Sequence, residues 1–189
     1  MIRKRWKTTM TIILPLALGA FLSGCSADKQ SAETLTAAAG GVTTIGRAGT
    51  QVGSPAPNFQ LPRMDGATVS LADLRGKPAV IVFWAAWCSS CKEEAPRINA
   101  LAAEYGGKGV RVLGINVKDS LAGVEGGVKE FGIRYPVARD SDASVARAYN
   151  VRGTPTIVFL DREGVVRYFG NELPNDYARR LDDLLAGNI

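Results

Sequence analysis

The run Ala79-Val80-Ile81-Val82-Phe83-Trp84-Ala85 has no charged or hydroxyl-bearing side chain and is rich in β-branched residues. It is the feature that most restricts how this chain can fold. Period-two alternation is absent, so the strand it encodes has both faces covered and lies at the centre of a sheet. The run stops at Trp87-Cys88-Ser89-Ser90-Cys91, and Cys91, Ala95, Ile98, Leu101, Ala102 and Tyr105 then recur at helical spacing. The two cysteines therefore sit where a buried strand turns into a helix. That helix is expected over residues 89–105, with a kink at Pro96 and an end at Gly106-Gly107.

Strands and helices alternate through the rest of the chain. Residues 58–61 and 67–70 flank Asp65-Gly66 and predict a hairpin, with Ser70 or Asp73 opening a short helical turn. A second buried strand is expected over residues 110–117. A helix over 120–131 is weakened by Gly123, Gly126 and Gly127. Residues 141–149 read as a helix with Ser141 as N-cap, 156–160 and 165–169 as antiparallel strands about the turn 161–164, and 175–186 as a closing helix. There is no internal repeat. The order predicts an α/β fold, a central mixed β-sheet flanked by helices on both faces and preceded by an N-terminal β-hairpin.

The first residues carry a different signal. Arg3, Lys4, Arg5 and Lys7 precede an apolar run over residues 12–22, the charge and apolar regions of an export signal. Eleven helical residues would reach roughly 16 Å, about half a bilayer core. The segment ends Leu22-Ser23-Gly24-Cys25, which resembles the lipobox of bacterial lipoproteins. That likeness implies cleavage before Cys25 and lipidation of its sulfur, with two or three acyl chains giving stable anchoring. Residues 1–24 are thus expected to be a cleaved signal peptide and residues 25–52 a lipidated cysteine with a flexible tether. The Ser, Thr, Ala and Gly of that tether cannot bury enough apolar surface to fold, and its r.m.s. span is roughly 25–30 Å. Residues 53–189 form the folded domain.

Charge and histidine content narrow the chemistry. The chain carries 23 Lys and Arg against 18 Asp and Glu. Loss of residues 1–24 removes four basic and no acidic residues, leaving 19 against 18 and a net charge of +1. The basis for expecting a nucleic-acid partner goes with them. Histidine is absent, which excludes Ser-His-Asp and Cys-His nucleophiles, His-bearing zinc sites and His-ligated haem.

Cys88 and Cys91 remain as a C-x-x-C pair. A cysteine at a helix N-terminus faces unsatisfied backbone N–H groups and the positive end of the helix dipole, both of which stabilise a thiolate. Cys88 is the expected nucleophile and Cys91, one turn on, the residue that resolves a mixed disulfide. Half of a zinc site and a purely structural disulfide are the competing readings. The first lacks further ligands and the second closes almost no loop.

The segment from Phe83 to Lys92 resembles the active site of the thioredoxin superfamily. With Glu94-Ala95-Pro96, the entry segment Gly53-Ser54-Pro55-Ala56-Pro57-Asn58-Phe59, the lipobox and the tether, it is similar to membrane-tethered TlpA/ResA-type thiol-disulfide oxidoreductases. The resemblance implies a thioredoxin-like fold over residues 52–189, with a redox-active Cys88-Cys91 disulfide and no other cofactor or metal. It makes Trp87 the aromatic wall of the site and Thr154-Pro155 a cis-proline loop that pairs with substrate. Glu94 matches a carboxylate beside the site that could tune the thiols and move protons, with a solvated first-turn glutamate as the bland alternative; Glu93 and Lys92 read as surface residues.

The implied function is an extracytoplasmic, lipid-anchored reductant of protein disulfides. Apocytochrome c is the expected kind of substrate and a membrane thiol donor of the CcdA/DsbD type the source of electrons. Three departures matter. Val82 replaces the buried aspartate of thioredoxins, Ser89-Ser90 replaces their Gly-Pro, and Ala85 replaces the threonine of peroxiredoxins, so peroxidase activity is not expected. Two other readings stand beside this one: a Cu(I)-binding or redox-inactive binding module on the same scaffold, since soft thiolates suit Cu(I), and a disulfide-forming oxidant.

Overall fold

The computed structural model describes residues 50–188. The expected signal peptide, Cys25 and most of the expected tether lie outside them.

Asp65-Gly66 turns the chain between β1 (Gln60–Pro62) and β2 (Thr68–Ser70), with Gly66 at φ +84°. Ser70 then opens α1 (Leu71–Leu74) through a capping box: its hydroxyl accepts from Asp73 N–H, and the Asp73 carboxylate accepts from Ser70 N–H. The apolar run forms β3 (Ala79–Trp84), buried along its whole length. α2 (Ser89–Gly106) runs on through Pro96, which deprives the Lys92 carbonyl of its usual N–H donor. β4 (Arg111–Val117), α3 (Leu121–Phe131), β5 (Val137–Asp140), α4 (Ser144–Ala148), β6 (Thr156–Leu160), β7 (Val166–Gly170) and α5 (Tyr177–Ala186) complete the order.

The five-stranded sheet has the order β5-β4-β3-β6-β7. β3, β4 and β5 are parallel, while β6 and β7 run antiparallel to their neighbours. β3 is the middle strand, as its unbroken apolar pattern requires. On one face α2, α3 and α5 pack around Val80, Val82 and Trp84. On the other, the hairpin, α1 and α4 pack around Ile81 and Phe83. The entry segment is held to the far edge by Gly53 N–H donating to Val166 O and Val166 N–H donating to Ser54 O.

The structure departs from expectation in two places. β5 was not anticipated: four residues containing Arg139 are too short and too polar to stand out. α4 begins at Ser144 rather than 141, and Ser141 does not cap it. Ala143 takes a left-handed conformation before the helix, and the buried Asp140 carboxylate accepts the N–H groups of Val145 and Ala146. A carboxylate left behind in a strand has taken the capping role. The glycines of α3 do not break it. Ser120 caps the helix by accepting from Gly123 N–H, and Gly127 has a packing reason, since a Cβ there would lie 2.8 Å from the Trp84 ring.

Candidate active site

Cys88 is the N-cap of α2, and its Sγ accepts from Cys91 N–H at 3.1 Å. The two sulfurs form a disulfide with Cα atoms 5.2 Å apart, and both cysteines are buried. Reduction would leave the Cys88 sulfur facing the same backbone donor, at the positive end of an 18-residue helix. The Ser90 hydroxyl lies 3.5 Å from that sulfur, a further polar contact for a thiolate.

Two loops converge on the pair. The Thr154-Pro155 bond is cis, and the Thr154 carbonyl oxygen lies 3.3 Å from Cys88 Sγ, where a reduced thiol would donate to it. Asn171, just beyond β7, fixes this loop by donating from Nδ2 to Pro155 O and to Thr156 Oγ1. The other loop, which leads from β3 into α2, is held from β4. Ala86 N–H donates to Asp119 Oδ2 at 2.6 Å, and Asn116 Nδ2 donates to the same oxygen at 2.7 Å.

The predicted residues fall in distinct places. Trp87 is 76% exposed next to the disulfide, an uncovered indole at its rim. Glu94 is partly buried, accepting from Leu173 N–H at 3.1 Å and pairing with Arg97 at 3.0 Å. It also lines a narrow cavity with Cys91, Val82 and Pro155, with about 10 Å³ of space for water, roughly one molecule. Glu94 thus lies in the second turn of α2 with most of its side chain withdrawn from solvent. Val82, which stands where thioredoxins bury an aspartate, is on the apolar wall of that cavity. Lys92 is exposed and pairs with Glu130 at 2.8 Å, and Glu93 is exposed. Asp119, Asn116 and Asn171 escaped the sequence reading. The Asn116-Val117-Lys118-Asp119 segment at a strand end was the available signal, but only the β3–β4 pairing brings it to the active-site loop.

This geometry, a disulfide cysteine at a helix N-cap beside its partner and a cis-proline loop, has counterparts among known proteins. The model of the AhpC/TSA family matches residues 52–169. The ResA thiol-disulfide oxidoreductase of Geobacillus kaustophilus is 36% identical over 135 residues, which span 70% of this chain and 78% of that one. This chain belongs to the AhpC/TSA family, among the ResA-type thiol-disulfide oxidoreductases. Solved structures agree on the thioredoxin-like fold. Mycobacterium tuberculosis DsbF, in its mixed oxidised and reduced forms, superposes with a TM-score of 0.61 at 29% identity, covering 67% of this chain and 94% of that one. A secreted disulfide oxidoreductase of the same organism, homologous to Escherichia coli DsbE, gives a TM-score of 0.57 at 28% identity over 68% and 95%.

Proposed function

We propose that this thiol-disulfide oxidoreductase works outside the cytoplasm, held to a membrane through lipid on Cys25, as a reductant of protein disulfides. The placement of Cys88 Sγ carries the reading, between Cys91 N–H and the Thr154 carbonyl at the mouth of the site. The Cys88 thiolate attacks one sulfur of the substrate disulfide and releases the other as a thiolate. Cys91 then loses its proton and attacks Cys88 Sγ, which frees the reduced substrate and leaves the Cys88–Cys91 disulfide. Two electrons have passed to the substrate, and a membrane thiol donor of the CcdA/DsbD type returns two. Glu94, which lines the same small cavity as Cys91, is the group placed to take the Cys91 proton. Trp87 and the Thr154-Pro155 loop receive the substrate, whose extended backbone pairs beside Thr154.

The Leu22-Ser23-Gly24-Cys25 box supports the anchor. A place in cytochrome c maturation, with apocytochrome c as substrate, is part of the same proposal and follows from the resemblance to TlpA/ResA-type proteins drawn from the sequence. The test is Cys91→Ala with Cys88 kept, expressed in a cell that exports the chain. Mixed disulfides between Cys88 and exported proteins are expected to accumulate, haem-attachment polypeptides among them; absence of any adduct overturns the exchange mechanism. Equilibration of the pair against glutathione fixes the direction, since a potential near about −120 mV would make the protein an oxidant.

A further inference from the structure

The β4–β5 ladder stops one step short of its geometric limit. Arg111 N–H donates to Pro78 O on the β3 side, and Gly114 N–H donates to Pro136 O on the β5 side. Alternation along a strand therefore turns the N–H and C=O of Val112 toward β5. Pro136 stands where the next donor would be and has no N–H. Among the described residues neither backbone group of Val112 has a partner. They open onto a cleft of about 690 Å³ bounded by β2, α1, the C-terminal half of α2 and the segment before β5, a size typical of ligand sites.

Three arginines, Arg63, Arg111 and Arg134, line the cleft against one carboxylate, Asp73. Asp73 is already occupied by Ser70, accepting from its N–H at 2.8 Å and its hydroxyl at 2.7 Å. Arg63 pairs with Asp65, whereas Arg111 and Arg134 are exposed and form no ion pair among the described residues. Val112 pairs with Val80, four residues before Trp84, so the cleft lies roughly 13 Å back along the strands from the end that carries the disulfide.

We propose that this cleft docks an extended acidic peptide segment of a partner protein, which adds to the free edge of β4 at Val112 and sets its carboxylates beside Arg111 and Arg134. A strand that presents one N–H and one C=O satisfies both Val112 groups, and its alternate side chains face the arginines. The site is separate from the cysteines, so a protein held here keeps the disulfide free for exchange.

The test titrates a fluorescein-labelled decapeptide of alternating Glu and Val into the full chain, with the Lys-Val counterpart as control. The Glu peptide is expected to bind and the Lys peptide not, with affinity falling as salt rises. Arg111→Glu with Arg134→Glu should weaken binding about tenfold or more, while the paired Arg→Lys changes retain it. Val112→Pro, which removes the edge N–H, should abolish binding while insulin-disulfide reduction is unchanged. The double charge variant decides the matter alone if the proline variant does not fold. Equal binding of the two peptides, or wild-type affinity in the double variant, overturns the proposal. So does slow hydrogen exchange at the Val112 amide of the free full chain, since another segment of the chain or a second copy would then occupy the edge.

Discussion

On one face of the sheet Phe83, Phe59 and Tyr149 close the core as a ring cluster, with Tyr149 5.3 Å from Phe83 and 6.2 Å from Phe59 between centroids. On the other face, where Cys88 and Cys91 are buried, the rings pair separately, Trp84 with Phe131 at 5.7 Å and Phe159 with Tyr168 at 5.1 Å. The packing beside the cysteines also relies on close approach. Gly127 of α3 lies against Trp84, and a narrow cavity remains between Cys91 and Glu94. Both faces share β3, whose alternate side chains serve one or the other. Both faces are thus held by aromatic packing, and the cysteine face differs in keeping polar contacts and open space beside a sulfur that must react.

The strongest way to break this comparison is Tyr149→Ala. It should cost about 3–5 kcal/mol in urea unfolding, with disulfide exchange per folded molecule unchanged. A parallel loss of exchange would show that the two faces are not separable.

Alkaline titration treats the faces alike and so calibrates the contrast. Burial pushes the hydroxyls of Tyr135, on the cysteine face, and Tyr149, on the opposite face, well above their ordinary value near 10. Because the folded state holds these protons more tightly, stability is intact below about pH 10. It should then fall with rising pH by about 1.4 kcal/mol per unit from each. Replacing either with Phe should reduce the slope by about 1.4 kcal/mol per pH unit in denaturation measured against pH, with Tyr105 and Tyr168, whose hydroxyls burial also pushes up, left in place.

Asp119→Ala addresses the cysteine face itself. It leaves Ala86 N–H and Asn116 Nδ2 without their shared acceptor and should cost about 1–3 kcal/mol. Exchange kinetics should change with it, because the loop it holds ends at Cys88. The sharpest contrast lies in two adjacent residues of α3. Gly127→Ala drives a Cβ to 2.8 Å from Trp84 and should destabilise by about 1–3 kcal/mol. Gly126→Ala meets nothing within 4 Å and should stabilise by about 0.5–1 kcal/mol. Thermal melts that moved the same way for both would refute close packing as the reason for Gly127.

What the sequence disclosed and what it hid follow the reach of each interaction. β3, α2 and the Cys88–Cys91 pair were legible because their signals are local: an apolar run, helical spacing, two cysteines at the junction. Thr154-Pro155 was legible only through family resemblance. Asp119 and Asn171 were not, since an acid and an amide in strand-end loops gain their roles from which strand lies beside which. The start of α4 was misplaced for the same reason, Asp140 capping it from within β5 while Ser141 offered the nearer local cap. Gly127 carried the opposite message in sequence, reading as a helix breaker until Trp84 was seen against it.

The surroundings of the disulfide are drawn from distant parts of the chain: Thr154 follows Cys88 by 66 residues, and Leu173 follows Glu94 by 79. At ribosomal speeds of about 5–20 residues per second, the cysteines are made roughly 3–13 seconds before the loop that faces them. During that interval the nascent polypeptide carries two reactive thiols with neither β6 nor the segment before α5 available to shelter them. Their separation of three residues gives each the other as its nearest partner, so an early oxidation would tend to close the native bond rather than a foreign one.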